Sequence, residues 1–152
     1  MFENEKELVQ YIYEIICSDL DIKKHNLKIS KEGKLNYNLP NKEELSHKSD
    51  ILISNLSKNK FISIEVKFKS CVTDVFKSRS YDILNMKNTF GNKLLGIMIF
   101  IKPNVMGSGL SIDKAKIICY PFDIFIGLKE ENIMKQDVFN NLINKIINFI
   151  DE

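Results

Sequence analysis

Residues 94–101, LLGIMIFI, carry no charged or hydrogen-bonding side chain. The run is too short to span a bilayer. It also lacks the alternation that leaves one face of a strand wet. A strand of this kind is buried on both faces. The rest of the chain must therefore cover a sheet from two sides, which confines it to layered α/β architectures.

The periodicity of the remaining chain supplies that cover. Leu8, Val9, Ile12, Ile15 and Ile16 recur at helical spacing, which predicts a helix over 4–18 with Asn4 as its cap. Val75, Phe76, Ile83, Met86 and Phe90 predict a second helix over 74–90, begun at Asp74 and stopped by Gly91. Val138, Leu142, Ile146, Ile147 and Ile150 form the stripe of a closing helix over 134–151. Leu35, Tyr37 and Leu39 alternate with polar neighbours in a short strand that Pro40 ends. Residues 50–56 and 61–68 read as a hairpin around the turn at 57–60, and a further strand is expected from Lys116 to Tyr120 or on to Phe125. Residues 19–33 read as loop, 41–49 as loop or a turn of helix, and 103–113, with Gly107, Ser108 and Gly109, as loop. The expected order is helix, three strands, helix, strand, strand, helix. At 152 residues this suits a single α/β domain over 1–152, a mixed sheet flanked by helices.

Charge and cysteine bound the function. The net charge of +2 is not that of a protein that coats nucleic acid by charge alone, so a nucleic-acid role needs a local basic groove. Cys17, Cys71 and Cys119 stand singly, which argues for buried thiols in a reducing compartment and against a zinc or disulfide framework. The acidic start, MFENEKELVQ, has no basic segment followed by an apolar one, so the expected location is cytoplasmic, with no membrane association.

The hairpin carries the chemistry. Along 61–68, Ile62, Ile64, Val66 and Phe68 share one face, and Ser63, Glu65 and Lys67 share the other. Asp50 opens the neighbouring strand, so Asp50, Glu65 and Lys67 fall together. Two close carboxylates repel unless a cation sits between them. A hard divalent ion such as Mg²⁺, with Mn²⁺ as a substitute, answers that need, and it binds through one or two carboxylates plus substrate phosphate. The Val66 carbonyl lies between the two side chains as a further ligand. Lys67 would orient an attacking water and hold developing negative charge. The alternative is a solvated strand face on which Glu65 and Lys67 form a surface ion pair.

The segments Ser49-Asp50-Ile51-Leu52-Ile53 and Ile62-Ser63-Ile64-Glu65-Val66-Lys67 resemble the PD-(D/E)xK nuclease superfamily, which includes restriction endonucleases and archaeal-type Holliday-junction resolvases. Ser49 stands where that family usually has proline. The resemblance implies a restriction-endonuclease-like core of order αβββαβ, here followed by a strand and a helix. It also implies a catalytic acid on the first helix, for which Glu5 is the candidate and Glu7 the weaker one. The implied activity is metal-dependent hydrolysis of phosphodiesters in DNA, with Asp50 and Glu65 on the metal and, for a junction resolvase, a homodimer. A non-catalytic interaction module on the same fold, or a subunit of a larger complex, is the competing expectation.

Other residues are secondary. Arg79 lies on the apolar seam Val72, Phe76, Ile83, Met86, Phe90, either to hold a phosphate or to pair with Asp82 or another acid. Lys69 and Tyr81 are candidate nucleic-acid contacts, and Lys58, Lys60, Lys77 and Lys87 candidate groove lysines; solvated surface is the alternative for each. His25 and His47 read as surface residues, with His47 close enough in sequence to approach Asp50.

Overall fold

The computed structural model describes residues 2–69, 73–103 and 109–152; Cys71, Val72, Gly107 and Ser108 lie outside the described residues. The elements are α1 (Glu5–Asp19), β1 (Leu27–Asn38), β2 (Glu44–Asn55), β3 (Lys60–Phe68), α2 (Thr73–Phe90), β4 (Leu94–Lys102), α3 (Ile112–Ile118), β5 (Ile124–Lys129) and α4 (Gln136–Asp151). The five strands lie side by side in chain order. β1, β2 and β3 run antiparallel, while β4 and β5 join parallel to β3. The result is a five-stranded mixed sheet between two helical layers.

Each layer is explained by what it covers. Leu8, Ile12 and Ile16 of α1 and Phe139, Leu142, Ile143, Ile146 and Ile150 of α4 pack on Ile62, Ile64, Ile97, Ile99 and Ile101. Phe76, Ile83 and Met86 of α2 and Ala115 of α3 pack on Leu94, Met98 and Phe100 across the sheet. β4 thus lies between two cores, as its wholly apolar sequence requires. Asn4 caps α1 by accepting from the Glu7 N–H at 3.1 Å. Gly91, at φ 57°, ends α2 in the left-handed region. The carbonyls at the end of α4 are satisfied by lysines of the β2–β3 turn: Lys58 Nζ donates to Ile150 and Asp151 at 2.8 Å each, and Lys60 Nζ to Phe149 at 2.7 Å. These two lysines are helix caps, not groove residues.

Three segments differ from the sequence expectation. β1 starts at Leu27, inside the stretch read as loop, and β2 starts at Glu44, inside the stretch read as loop or helix. Both extensions are polar because β1 is the sheet edge and β2 pairs with it there, so no apolar alternation marks them. Residues 112–118 form α3 where a strand was expected to begin, and the strand that follows is β5. Ser111 caps α3 through the Lys114 N–H at 3.2 Å, while Ile117 lies on its outer face, exposed.

The β1–β2 ribbon changes face part-way along. Leu27, Ile29, Ile51 and Ile53 face the α1/α4 core, whereas Leu35 and Tyr37 face the α2/α3 core. Pairing stays in register through the change, Lys31 opposite Ile51 and Gly33 opposite Ser49. The inversion falls at Glu32, whose φ is 52°, and at Asp50, which the register sets opposite it. At Gly33 a Cβ would lie 2.5 Å from the Leu52 Cβ and 2.7 Å from the Ser30 Oγ. Only glycine fits beside the crossover. We expect Gly33→Ala to destabilise the fold by about 1–3 kcal/mol, read as a lower urea midpoint at unchanged m-value.

Candidate active site

β2 and β3 pair from Asn55 opposite Lys60 as far as Ile51 opposite Ile64, and there the ladder ends. Beyond it β2 continues with β1 to Glu44, and β3 continues with β4 to Phe68. Asp50 stands at this fork. Its Oδ2 accepts the Val66 N–H at 2.7 Å, so a side chain takes the place of the missing strand partner. The face change described above is what frees the Asp50 carboxylate to do so.

Two clusters meet at the fork. On one side Lys67 Nζ donates to Glu5 Oε1 at 3.0 Å and lies 3.9 Å from Asp50 Oδ2. Glu5 Oε2 also accepts the Phe68 N–H at 3.3 Å. Glu5 sits in the first turn of α1, where the helix dipole favours an anion. Lys67 is 6% exposed, which its two carboxylate neighbours make tolerable. On the other side Glu65, with no exposure, accepts from His47 Nε2 at 2.6 Å and lies 3.4 Å from Arg79 Nε. Asp82 of α2 closes this cluster, 3.4 Å from His47 Nδ1 and 3.9 Å from an Arg79 Nη.

The structure therefore brings together Glu5, Asp50 and Lys67, while Glu65 sits in the second cluster and acts on Asp50 through its charge. Arg79 does pair with acids, Glu65 and Asp82, from a partly exposed position on α2. Lys69 is tied to the Glu3 carbonyl and lies over the Phe68 ring. Tyr81 is exposed on α2 and Lys87 pairs with Asp123 at 2.6 Å, so neither joins the fork. Glu7 serves the α1 cap, accepting from the Glu3 N–H at 2.9 Å. His47 is buried rather than on the surface, because the fork turns its segment toward α2; His25 is also covered, paired with Asp151 at 3.0 Å. The sequence offered His47 only as a neighbour of Asp50 and Asp82 only as a partner for Arg79; their meeting around Glu65 had no local signal, since β2, β3 and α2 are distant in the chain there. A cleft of about 370 Å³ leads to Asp50, walled by Glu5, Lys6 and Val9 of α1 and by Lys31 and Glu32 of β1. Lys6 and Lys31 are likewise residues the sequence did not single out.

Burial and the neighbouring Glu65 carboxylate push the Asp50 pKa up to about 6, against the pull of Lys67 and the Val66 N–H. His47 is raised to about 9: burial opposes its charge, but hydrogen bonds and attraction from Asp82 and Glu65 outweigh that. The acids on either side of the ring thus favour the imidazolium, with Nε2 donating to Glu65 and Nδ1 facing Asp82.

Among the described residues, no three His, Cys, Asp or Glu side chains group in a way that could hold a metal ion. Magnesium needs fewer protein ligands than that and keeps water or phosphate in the rest of its shell. The donor set tests better on its own atoms. Glu65 Oε2 is buried without a hydrogen-bond partner. The Asp50 carboxylate is partly desolvated and crowded by Glu65. A divalent cation would relieve the crowding of Asp50; Glu65 could join as a ligand only by exchanging the contact of its Oε2 with Arg79 Nε, 3.4 Å away, for the metal.

No family profile and no curated protein matches this chain. Among solved structures, one of a protein of unknown function, AF1548, aligns over 93% of this chain and 67% of its own, at 12% identity and a TM-score of 0.49. A likeness that slight carries no argument about chemistry. No helix among the described residues is long and apolar enough to cross a membrane.

Two outcomes follow from the charges. Asp50 holds its proton more tightly folded than unfolded, so its ionisation lowers stability as pH rises from about 4 to about 6, and the penalty is complete above that. We expect Asp50→Asn to be more stable than the wild type by roughly 1–3 kcal/mol at pH 8, with the gap closing at pH 4 in urea titrations. His47 has the opposite sense: its contribution is full below its free value of 6.5 and is lost as pH rises through about 9. The wild type should lose on the order of 2–3 kcal/mol between pH 7 and 10 relative to His47→Gln measured in parallel.

Proposed function

We propose that this chain is a metal-dependent endonuclease of the PD-(D/E)xK kind, hydrolysing phosphodiester bonds in DNA. The single observation that carries the proposal is the convergence of Asp50, Lys67 and Glu5 at the β2–β3 fork, with Glu65 next along the same face of β3 and near enough for its charge to act on Asp50. A purely structural fork has no need of three acids and a buried lysine, because buried charge costs free energy unless function retains it.

In this reading Asp50 and Glu65 hold Mg²⁺, or Mn²⁺ in its place, with the Val66 carbonyl as a further ligand. The bound ion would supply a water of lowered pKa and polarise the scissile phosphate. Lys67, braced between Glu5 and Asp50, positions the attacking water and offsets charge on the phosphorane-like transition state. Glu5 keeps the Lys67 ammonium aimed at the fork. DNA enters along the cleft, with Lys6 and Lys31 on its backbone phosphates; Lys69 and Tyr81 would meet flanking duplex only. The finer fold assignment belongs to the same proposal: α1, β1, β2, β3, α2 and β4 run in the restriction-endonuclease-like order, with α3, β5 and α4 added. A symmetric pair of cuts in a junction would require a homodimer.

The second reading is a non-catalytic interaction module. It is favoured by Glu65 being engaged by two cations, and by the exposed apolar side chains Tyr81 and Leu84 on α2, Ile117 on α3 and Tyr120 just beyond it.

The test is cleavage of plasmid, linear duplex, single strand, four-way junction and RNA in Mg²⁺ or Mn²⁺. We expect a DNA substrate to be cut, with Lys67→Ala slower by about 10²–10⁴-fold. Cleavage of RNA alone would retain the chemistry and change the substrate. A folded protein that cuts nothing, and whose melting temperature Mn²⁺ does not raise, would leave the interaction module.

A further inference from the structure

Glu65 has no exposure, so its charge is costly unless a cation answers it. Two basic side chains do so, and they are held differently. His47 donates from Nε2 to Glu65 Oε1 at 2.6 Å and is only 5% exposed. Arg79 stands over the other oxygen, its Nε 3.4 Å from Oε2, and makes no hydrogen bond to it. The Arg79 side chain is 33% exposed. Asp82, three residues further along α2, lies 3.9 Å from an Arg79 Nη. One of the two basic groups is thus enclosed, and the other has a way out to solvent.

We propose that Arg79 is a displaceable cover on Glu65: its guanidinium competes with a divalent ion for Oε2, and yields that oxygen by turning outward on α2 toward Asp82 and solvent. The inference rests on the nuclease reading and deepens it, since it says how the second acid becomes a ligand. Three features favour exchange at this oxygen. A pair at 3.4 Å without a hydrogen bond is weak, and partial exposure screens it further. Asp82 keeps the guanidinium partnered once it has turned, so no charge is left bare. The arginine stem is long and unbranched, so its head can move while the helix stands still. The affinity for the ion is then set by a competitor inside the protein. Guanidinium and ion exclude one another at one oxygen, and each lowers the occupancy of the other.

Arg79 is the only arginine in the chain, which makes its release directly readable. Phenylglyoxal, an arginine-selective reagent, finds a single guanidinium, and peptide mass spectrometry gives the rate of its addition. The Val66 amide, hydrogen-bonded to Asp50, reports an ion at the fork through its shift in ¹⁵N–¹H NMR spectra. Both are followed on wild type and Asp50→Asn as Mg²⁺ is added. We expect the Val66 signal to move and Arg79 modification to accelerate several-fold, with a common midpoint, and Asp50→Asn to lose both responses. Arg79→Gln should bind Mg²⁺ more tightly than wild type, by about 5-fold or more on the Val66 shift. Tighter binding would follow from charge alone; faster modification would not. If Arg79→Gln does not fold, the wild-type modification rates decide. A Val66 shift without faster modification of Arg79 overturns the cover and leaves the nuclease reading standing, with Glu65 off the ion. Arg79→Gln binding no more tightly than wild type also overturns the cover. An acceleration that survives Asp50→Asn arises away from the fork and overturns it too. No Val66 shift at tens of millimolar Mg²⁺ overturns both readings.

Discussion

Everything at the fork depends on one hydrogen bond, from the Val66 N–H to the Asp50 carboxylate. A strand that leaves its neighbour strands a row of backbone donors, and a buried unpaired N–H is costly. Asp50 settles the first of them with an ionisable side chain. That places a carboxylate at a depth where no solvent-facing residue of an ordinary ladder would sit. The face change in the β1–β2 ribbon is the mechanical condition. Without it Asp50 would continue the alternation of Leu52, and the fork would close over an apolar face.

The same departure sorts the charges of β3. Glu65 and Lys67 share a parity but not a fate. Glu65, still inside the sheet, turns to α2 and is met by His47 and Arg79. Lys67, one pair further out, reaches across the strand end to Glu5 and Asp50. Each buried charge is thus answered by an opposite one from a different element: α1 for Lys67, β2 and α2 for Glu65. Such pairs add little net stability over apolar packing. They do fix which rotamers are allowed, and so how far the two acids stand apart.

The sequence made the centre of the molecule legible and its margins obscure. The alternation of 61–68, the apolar run of 94–101 and the stripes of α1, α2 and α4 follow from burial, and burial writes itself in periodicity. Asp50, Glu65 and Lys67 were legible because charges inside such patterns are conspicuous. Glu5 came from the resemblance, and the wheel of α1 agreed with it. The early part of β1 was not legible, because an edge strand need not alternate. Nor was α3, since a seven-residue helix offers too few repeats to distinguish from a strand. Local spacing gave Asp82 as a partner of Arg79 and His47 as a neighbour of Asp50, but not their joint contact with each other and Glu65, which is made between β2, β3 and α2.

The cleft adds a constraint on how substrate and cation would act together under the proposed function. Its lining sets three acids, Glu5, Glu32 and Asp50, against two lysines, Lys6 and Lys31. A phosphodiester approaching that surface without a divalent ion meets a net negative wall, in a protein whose overall charge is too small to overcome it by long-range attraction. A divalent ion on Asp50 reverses the sign where the scissile phosphate must rest, while the two lysines remain for its neighbours. Burial and crowding work in the same direction, because a carboxylate that resists ionisation alone is one that gains most from a cation. Cation and nucleic acid would then bind with positive coupling, each the condition for the other. Under the proposed function, a near-neutral chain would in this way confine its affinity for DNA to the place the cation occupies.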